Sequence, residues 1–107
     1  MVNVELAKER GLSEQTIAEI RGRHIERDQI EQEMASRQPD DVIGLRRLFK
    51  RWRANEYALQ VLWGFRKNKH LHRDFNLPHC TCPKMDNEDA LGTPYRWVTE
   101  RCVYHGR

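Results

Sequence analysis

The chain has 107 residues, of which 33% are charged and 38% apolar, with a mean hydropathy of −0.89 and a formal net charge of +3. That size suits one domain, or one domain with an arm, and Trp52, Trp63 and Trp97 set it apart from disordered compositions. No apolar run approaches the roughly 18 residues of a membrane span and no hydrophobic signal segment is read at the N-terminus, so a reducing cytosol is the expected compartment.

Residues 4–10 predict a short helix closed by Gly11. Ser13 then opens a second helix as its N-cap, and Leu12 before it staples onto Ile17. Ile17, Ile20, His24, Ile25, Ile30 and Met34 keep a sparse helical spacing to about Ser36, a narrow stripe that needs a partner along its length. Gln38-Pro39-Asp40 breaks the pattern, and Asp40 or Asp41 caps a third helix from Val42 to about Trp63. There Val42, Leu45, Leu48, Phe49, Trp52, Leu59 and Leu62 recur at threes and fours, with Gly64 as the stop. Two long helices joined by so short a turn are expected to lie antiparallel.

A basic linker from Arg66 to His70 follows, and Tyr95 to Thr99 alternates as a small strand would, leading into Cys102. The fold class is therefore mainly α. An antiparallel helical hairpin with an N-terminal arm spans residues 1–65, and a metal-stapled C-terminal module with little or no β structure spans residues 66–107. Charge divides along the chain. Residues 1–41 hold 6 Lys/Arg against 10 Asp/Glu, residues 42–79 hold 9 against 2, and residues 80–107 hold 4 against 4.

The chemistry gathers in the neutral third. Cys80-Thr81-Cys82 and Cys102-Val103-Tyr104-His105 each offer half of a tetrahedral site, and zinc held by three thiolates and one imidazole is a common closed arrangement. Residues two apart in an extended segment share a face, but thiolates on one zinc converge to roughly 3.8 Å, so a local turn is required and Pro83 suits one. Cys102 and His105, three apart, fall on one side of a helical turn. Three cysteines cannot all pair with one another, and a Cys80–Cys82 bridge would close a strained ring. His70, His72 and His79 are nearby substitutes for His105, with His79 placed on the opposite face by its adjacency to Cys80.

Fewer than about 40 residues rarely hold together by burial alone, so zinc would act as the staple of this module. Backbone N–H groups with Lys84, Arg101 or Arg107 would offset the excess thiolate charge. Four protein ligands leave no open position, and no catalytic constellation or deaminase signature accompanies them, so the site reads as structural and the protein as no enzyme. Asp86-Asn87-Glu88-Asp89 reads as a polar turn in which Asp86 or Asn87 bonds nearby backbone N–H groups.

The run from Phe75 through Cys80-Thr81-Cys82-Pro83-Lys84-Met85-Asp86-Asn87 to Asp89, continuing to Cys102-Val103-Tyr104-His105-Gly106, resembles a family of small bacteriophage proteins. Their shared pattern is Cys-x-Cys-Pro-x-Met-Asp-Asn, a Tyr- or Trp-containing stretch, and Cys-x-x-His-Gly. The likeness covers about the last 45 residues, taking in Trp63-Gly64-Phe65, and departs at Val103, where proline is usual. It implies Cys80, Cys82, Cys102 and His105 as ligands and an accessory role in the phage particle. The N-terminal run from Leu6 to Ile20 is similar to a helix-turn-helix, in which Ser13, Gln15 and Thr16 would meet base edges. Arg46, Arg47, Lys50, Arg51 and Arg53 would then supply a phosphate footprint; the other reading is a cross-helix face opposing Glu26, Glu31 and Glu33.

The leading expectation is a small zinc-stabilised structural protein of a phage virion, made in the host cytoplasm. As an accessory, connector or cement-type part it would bridge larger protein subunits in many copies, without membrane contact. The alternative is a helix-turn-helix DNA-binding regulator or DNA-packaging factor carrying a structural zinc site.

Overall fold

The computed structural model describes residues 4–64, 73–89 and 95–106. Helix α1 (Val4–Glu9) stops at Gly11, whose φ of 76° favours glycine. Ser13 accepts the Thr16 N–H at 3.1 Å and opens α2 (Glu14–Ser36), with Ile17 buried and Leu12 half-buried as a staple requires. Arg37 leaves the helix in an extended conformation. Of the two candidate caps for α3 (Val42–Leu62) it is Asp41 that serves, accepting the Gly44 N–H at 3.1 Å. Gly64, with φ 82°, follows its end.

The two long helices are antiparallel. Arg23 of α2 faces Asn55 of α3, Arg27 faces Glu56, and Glu31 accepts the Trp52 indole N–H, so the register runs in opposite directions along the pair. Ile17, Ile20 and Leu59 are buried at the open end. A polar belt crosses the middle, where Arg27 meets Glu56 at 3.3 Å and the Asn55 amide donates to the Arg23 carbonyl at 2.9 Å. This belt explains why Ile25, counted in the apolar stripe, is 60% exposed: the positions facing α3 between Ile20 and Ile30 belong to Arg23 and Arg27.

The main core lies at the turn end of the hairpin. Ile30, Met34, Leu45, Leu48, Phe49 and Trp52 pack there with Phe75, Leu77, Cys82, Cys102, Val103 and Tyr104 of the C-terminal part. That part holds a 3-10 turn (Arg73–Asn76) and a short helix α4 (Lys84–Asp89) where the sequence suggested a polar turn. Tyr95–Thr99 pairs with no strand, and among the described residues there is no β structure. The reason is Asn87, 1% exposed, whose side chain takes the ladder's place. Its Oδ1 accepts the Trp97 N–H at 2.8 Å, while its amide donates to the carbonyls of Trp97 at 2.8 Å and Pro83 at 2.6 Å. The basic linker at 66–70, with His70, and also His72 and Arg107 lie outside the described residues.

Candidate metal centre

Two turns bring the ligands together. The Cys80 N–H bonds the Leu77 carbonyl at 3.1 Å, folding the chain back before the first ligand pair. His79 inside this turn has φ 70° and sets its Nε2 3.0 Å from the Arg37 carbonyl, away from the thiols and against the hairpin turn. In the second turn the Gly106 N–H reaches the Cys102 carbonyl at 2.8 Å, placing Cys102 and His105 on one side as their spacing predicts. A Cβ on Gly106 would lie 2.9 Å from the Cys102 nitrogen and closer still to the carbonyl oxygens of Glu100 and Cys102, so the turn has room only for glycine.

The sulfurs of Cys80, Cys82 and Cys102 and Nδ1 of His105 all lie within 4.8 Å of one another. His105 Nδ1 stands 3.7, 3.4 and 3.3 Å from the sulfurs of Cys80, Cys82 and Cys102, and the Cys80 and Cys102 sulfurs are 3.7 Å apart. A tetrahedral ion with bonds of about 2.3 Å to sulfur and about 2.0 Å to nitrogen sets edges of roughly 3.5–3.8 Å. These four edges, 3.3–3.7 Å, already fall near that range, so these residues can hold a metal ion. No disulfide competes for the thiols.

Burial pushes the Cys80 thiol up to about 12 and raises Cys82 as well, although the Thr99 N–H points at the Cys82 sulfur from 3.4 Å. Cys102 goes the other way, to about 6. Burial opposes its ionisation, but the backbone N–H groups of His105, Thr81 and Tyr104 and the His105 ring outweigh it. One thiolate is thus prepared, while the other two thiols must surrender protons to a metal. Backbone N–H groups supply this local stabilisation, whereas Lys84 and Arg101 are exposed.

The His105 ring is held on three sides. It stacks on Phe75 with centroids 4.7 Å apart and meets Phe49 of α3 edge-on at 5.4 Å. Its Nε2 lies 2.7 Å from Asp74 Oδ2. The same oxygen is paired with Arg96, whose guanidinium sits 4.6 Å above the Phe75 ring. Burial is the strongest influence on Asp74 and would raise it, yet the His105 hydrogen bond and the Arg96 charge together hold it below the ordinary carboxylate value. Sequence reading passed over Asp74 and Arg96. One signal was available: Asp74 is one of only 2 acids among 9 cations in residues 42–79, and a metal-bound imidazole needs an acceptor for its other nitrogen.

The other singled-out residues are scattered. Ser13 and Thr16 bond each other at the start of α2 with their hydroxyls 2.9 Å apart, and Gln15 is exposed beside them. Arg46 turns onto the 102–106 turn, donating from Nε to the Val103 carbonyl at 2.9 Å and from Nη2 to the Gly106 carbonyl at 2.8 Å. Arg51 pairs with Glu26 across the hairpin at 3.9 Å, and Arg53 donates to the Tyr57 hydroxyl at 3.2 Å. Arg47 and Lys50 are exposed on α3.

Among the described residues no helix is long and apolar enough to cross a membrane. Comparison of the chain with protein-family models, with curated proteins and with solved structures gives no match.

Proposed function

We propose that Cys80, Cys82, Cys102 and His105 bind one structural zinc ion, and that the protein is a zinc-stapled structural component of a bacteriophage particle, bridging larger subunits as an accessory, connector or cement. The observation that carries the metal half is the near-tetrahedral spacing of three sulfurs and one imidazole nitrogen. Soft thiolates favour zinc over hard cations, and four protein ligands leave no place for a reacting water. The virion half is supported by the resemblance of the C-terminal run to small phage proteins. Tyr95, Trp97 and Val98 add to that support, being large apolar side chains exposed within one short segment beside the ligands. The DNA-binding alternative draws less support, because Ser13, Thr16, Arg46, Arg51 and Arg53 are engaged within the fold.

Elemental analysis with native mass measurement, proteomics of purified particles and a DNA titration against salt together test this reading. One zinc per chain, presence in particles and indifference to DNA are expected. A metal-free chain in which Phe75, Leu77, Tyr104 and the four candidate ligands keep their packing would overturn the metal assignment. Absence from particles, together with steeply salt-dependent DNA binding lost in Arg47→Ala with Lys50→Ala, would replace the virion role with the regulator.

A further inference from the structure

Resting on the zinc reading above, the geometry points to a positioning pair outside the ligand set: Asp74 fixes His105 as an Nδ1 ligand, and Arg96 acts on the metal through Asp74. A neutral imidazole has one N–H and one lone pair, and a carboxylate can only accept. With Asp74 Oδ2 at 2.7 Å, the proton of the zinc-bound ring belongs on Nε2, which leaves Nδ1, 3.3 Å from the Cys102 sulfur, to give its lone pair to the ion. Phe75 and Phe49 already hold the ring's position, stacked and edge-on. What remains for Asp74 is the choice of nitrogen and the basicity of the one that binds. Outer carboxylates of this kind both orient a histidine ligand and strengthen its donation.

Arg96 belongs to the 95–99 segment, and Asn87 pins that segment at the next residue by bonding both the N–H and the carbonyl of Trp97. Its guanidinium therefore reaches Asp74 Oδ2 from a fixed backbone, over the Phe75 ring. A three-thiolate zinc site carries one net negative charge, and the carboxylate adds a second. Arg96 offsets that charge at the same oxygen that orients His105. The segment that looked like a strand thus serves as an outer strap of the metal centre.

The test measures zinc affinity by competition with a chromophoric chelator, in native protein and in Asp74→Ala, Asp74→Asn, Arg96→Met and the Asp74→Ala/Arg96→Met double variant. Long-range proton–nitrogen NMR of the zinc-loaded native protein identifies the bound nitrogen of His105. Asp74→Ala is expected to bind roughly 10–100-fold more weakly. Asp74→Asn, whose carbonyl can still accept from Nε2, should fall between that variant and native protein. Arg96→Met should weaken binding severalfold alone and add nothing in the Asp74→Ala background. The NMR pattern should be that of Nδ1 coordination. Should Asp74→Ala fail to fold, the Asp74→Asn affinity and the native NMR pattern still decide. Native-like affinity in both Asp74 variants, Nε2 coordination, or an undiminished Arg96→Met effect in the double variant overturns the inference while leaving the zinc site standing. Failure of the native protein to bind zinc overturns both.

Discussion

Replacing Arg46 with methionine separates a structural arginine from a nucleic-acid contact. The substitution keeps most of the aliphatic stem and removes two donors, those 2.9 and 2.8 Å from the carbonyls of Val103 and Gly106 on either side of His105. A hydrogen bond from a charged donor nets about 1.5–3 kcal/mol when shielded. Because Arg46 is largely exposed, the pair together is discounted to about 1–2 kcal/mol. For a domain near 100 residues each kcal/mol moves the melting temperature by roughly 4–8 °C, so Arg46→Met should melt roughly 4–16 °C lower. The assay is far-ultraviolet circular dichroism of the zinc-loaded protein on heating, with Arg47→Met as the neighbour that makes no such bonds. If the two variants melt together, the claim that α3 grips the 102–106 turn through Arg46 is wrong. The same logic excludes Arg46 as a probe of DNA contact, since its loss would weaken binding by loosening the fold.

Zinc uptake near pH 7.5 should release at least two protons, from Cys80 and Cys82, whose thiols burial holds above the ordinary range. Titration calorimetry in buffers of differing ionisation enthalpy gives the count, and affinity should fall as pH is lowered; a release of fewer than two would contradict the raised Cys80 and Cys82 thiols. Two glycines should respond in opposite directions in urea unfolding. Gly106→Ala drives a Cβ into the backbone of Glu100 and Cys102 and should cost about 1–3 kcal/mol, whereas Gly22→Ala, with nothing within 4 Å and a mid-helix position, should gain about 1 kcal/mol. Equal effects from the two would show that the 102–106 turn is looser than its geometry implies.

The helices were legible because their signals are local. Ser13 and Asp41 act as caps, Gly11 and Gly64 as stops, and Leu45 to Leu59 follows a 3.6-residue period. The four possible ligands were legible because thiolate chemistry is carried by few residue types at tight spacing. What escaped was non-local. Asp74 reaches a ligand 31 positions away, and Arg46 reaches carbonyls 57 and 60 positions away. No period in the sequence records such separations. Ile25 and the Tyr95–Thr99 strand failed for a shared reason: a polar side chain occupied the place an apolar or backbone partner was expected to fill. Arg23 and Arg27 displaced Ile25 from the helix interface, and Asn87 replaced the strand's partner.

These non-local contacts also decide how far the influence of a metal reaches. The histidine of the site is wedged between Phe75 and Phe49, and Phe49 in turn packs on Tyr104 at 5.3 Å and Trp52 at 6.3 Å. Phe75, Leu77, Cys82, Cys102, Val103 and Tyr104 therefore complete the turn-end core of α2 and α3, and an ion that orders them orders that core too. The open end depends on separate contacts, with Ile17, Ile20 and Leu59 buried behind the Arg27–Glu56 pair. Loss of the ion would then act unevenly. It would remove the support of α3 from Leu45 to Trp52, where Arg46 and Phe49 meet the 102–106 turn, and leave the polar belt and the layer beyond it with their own partners.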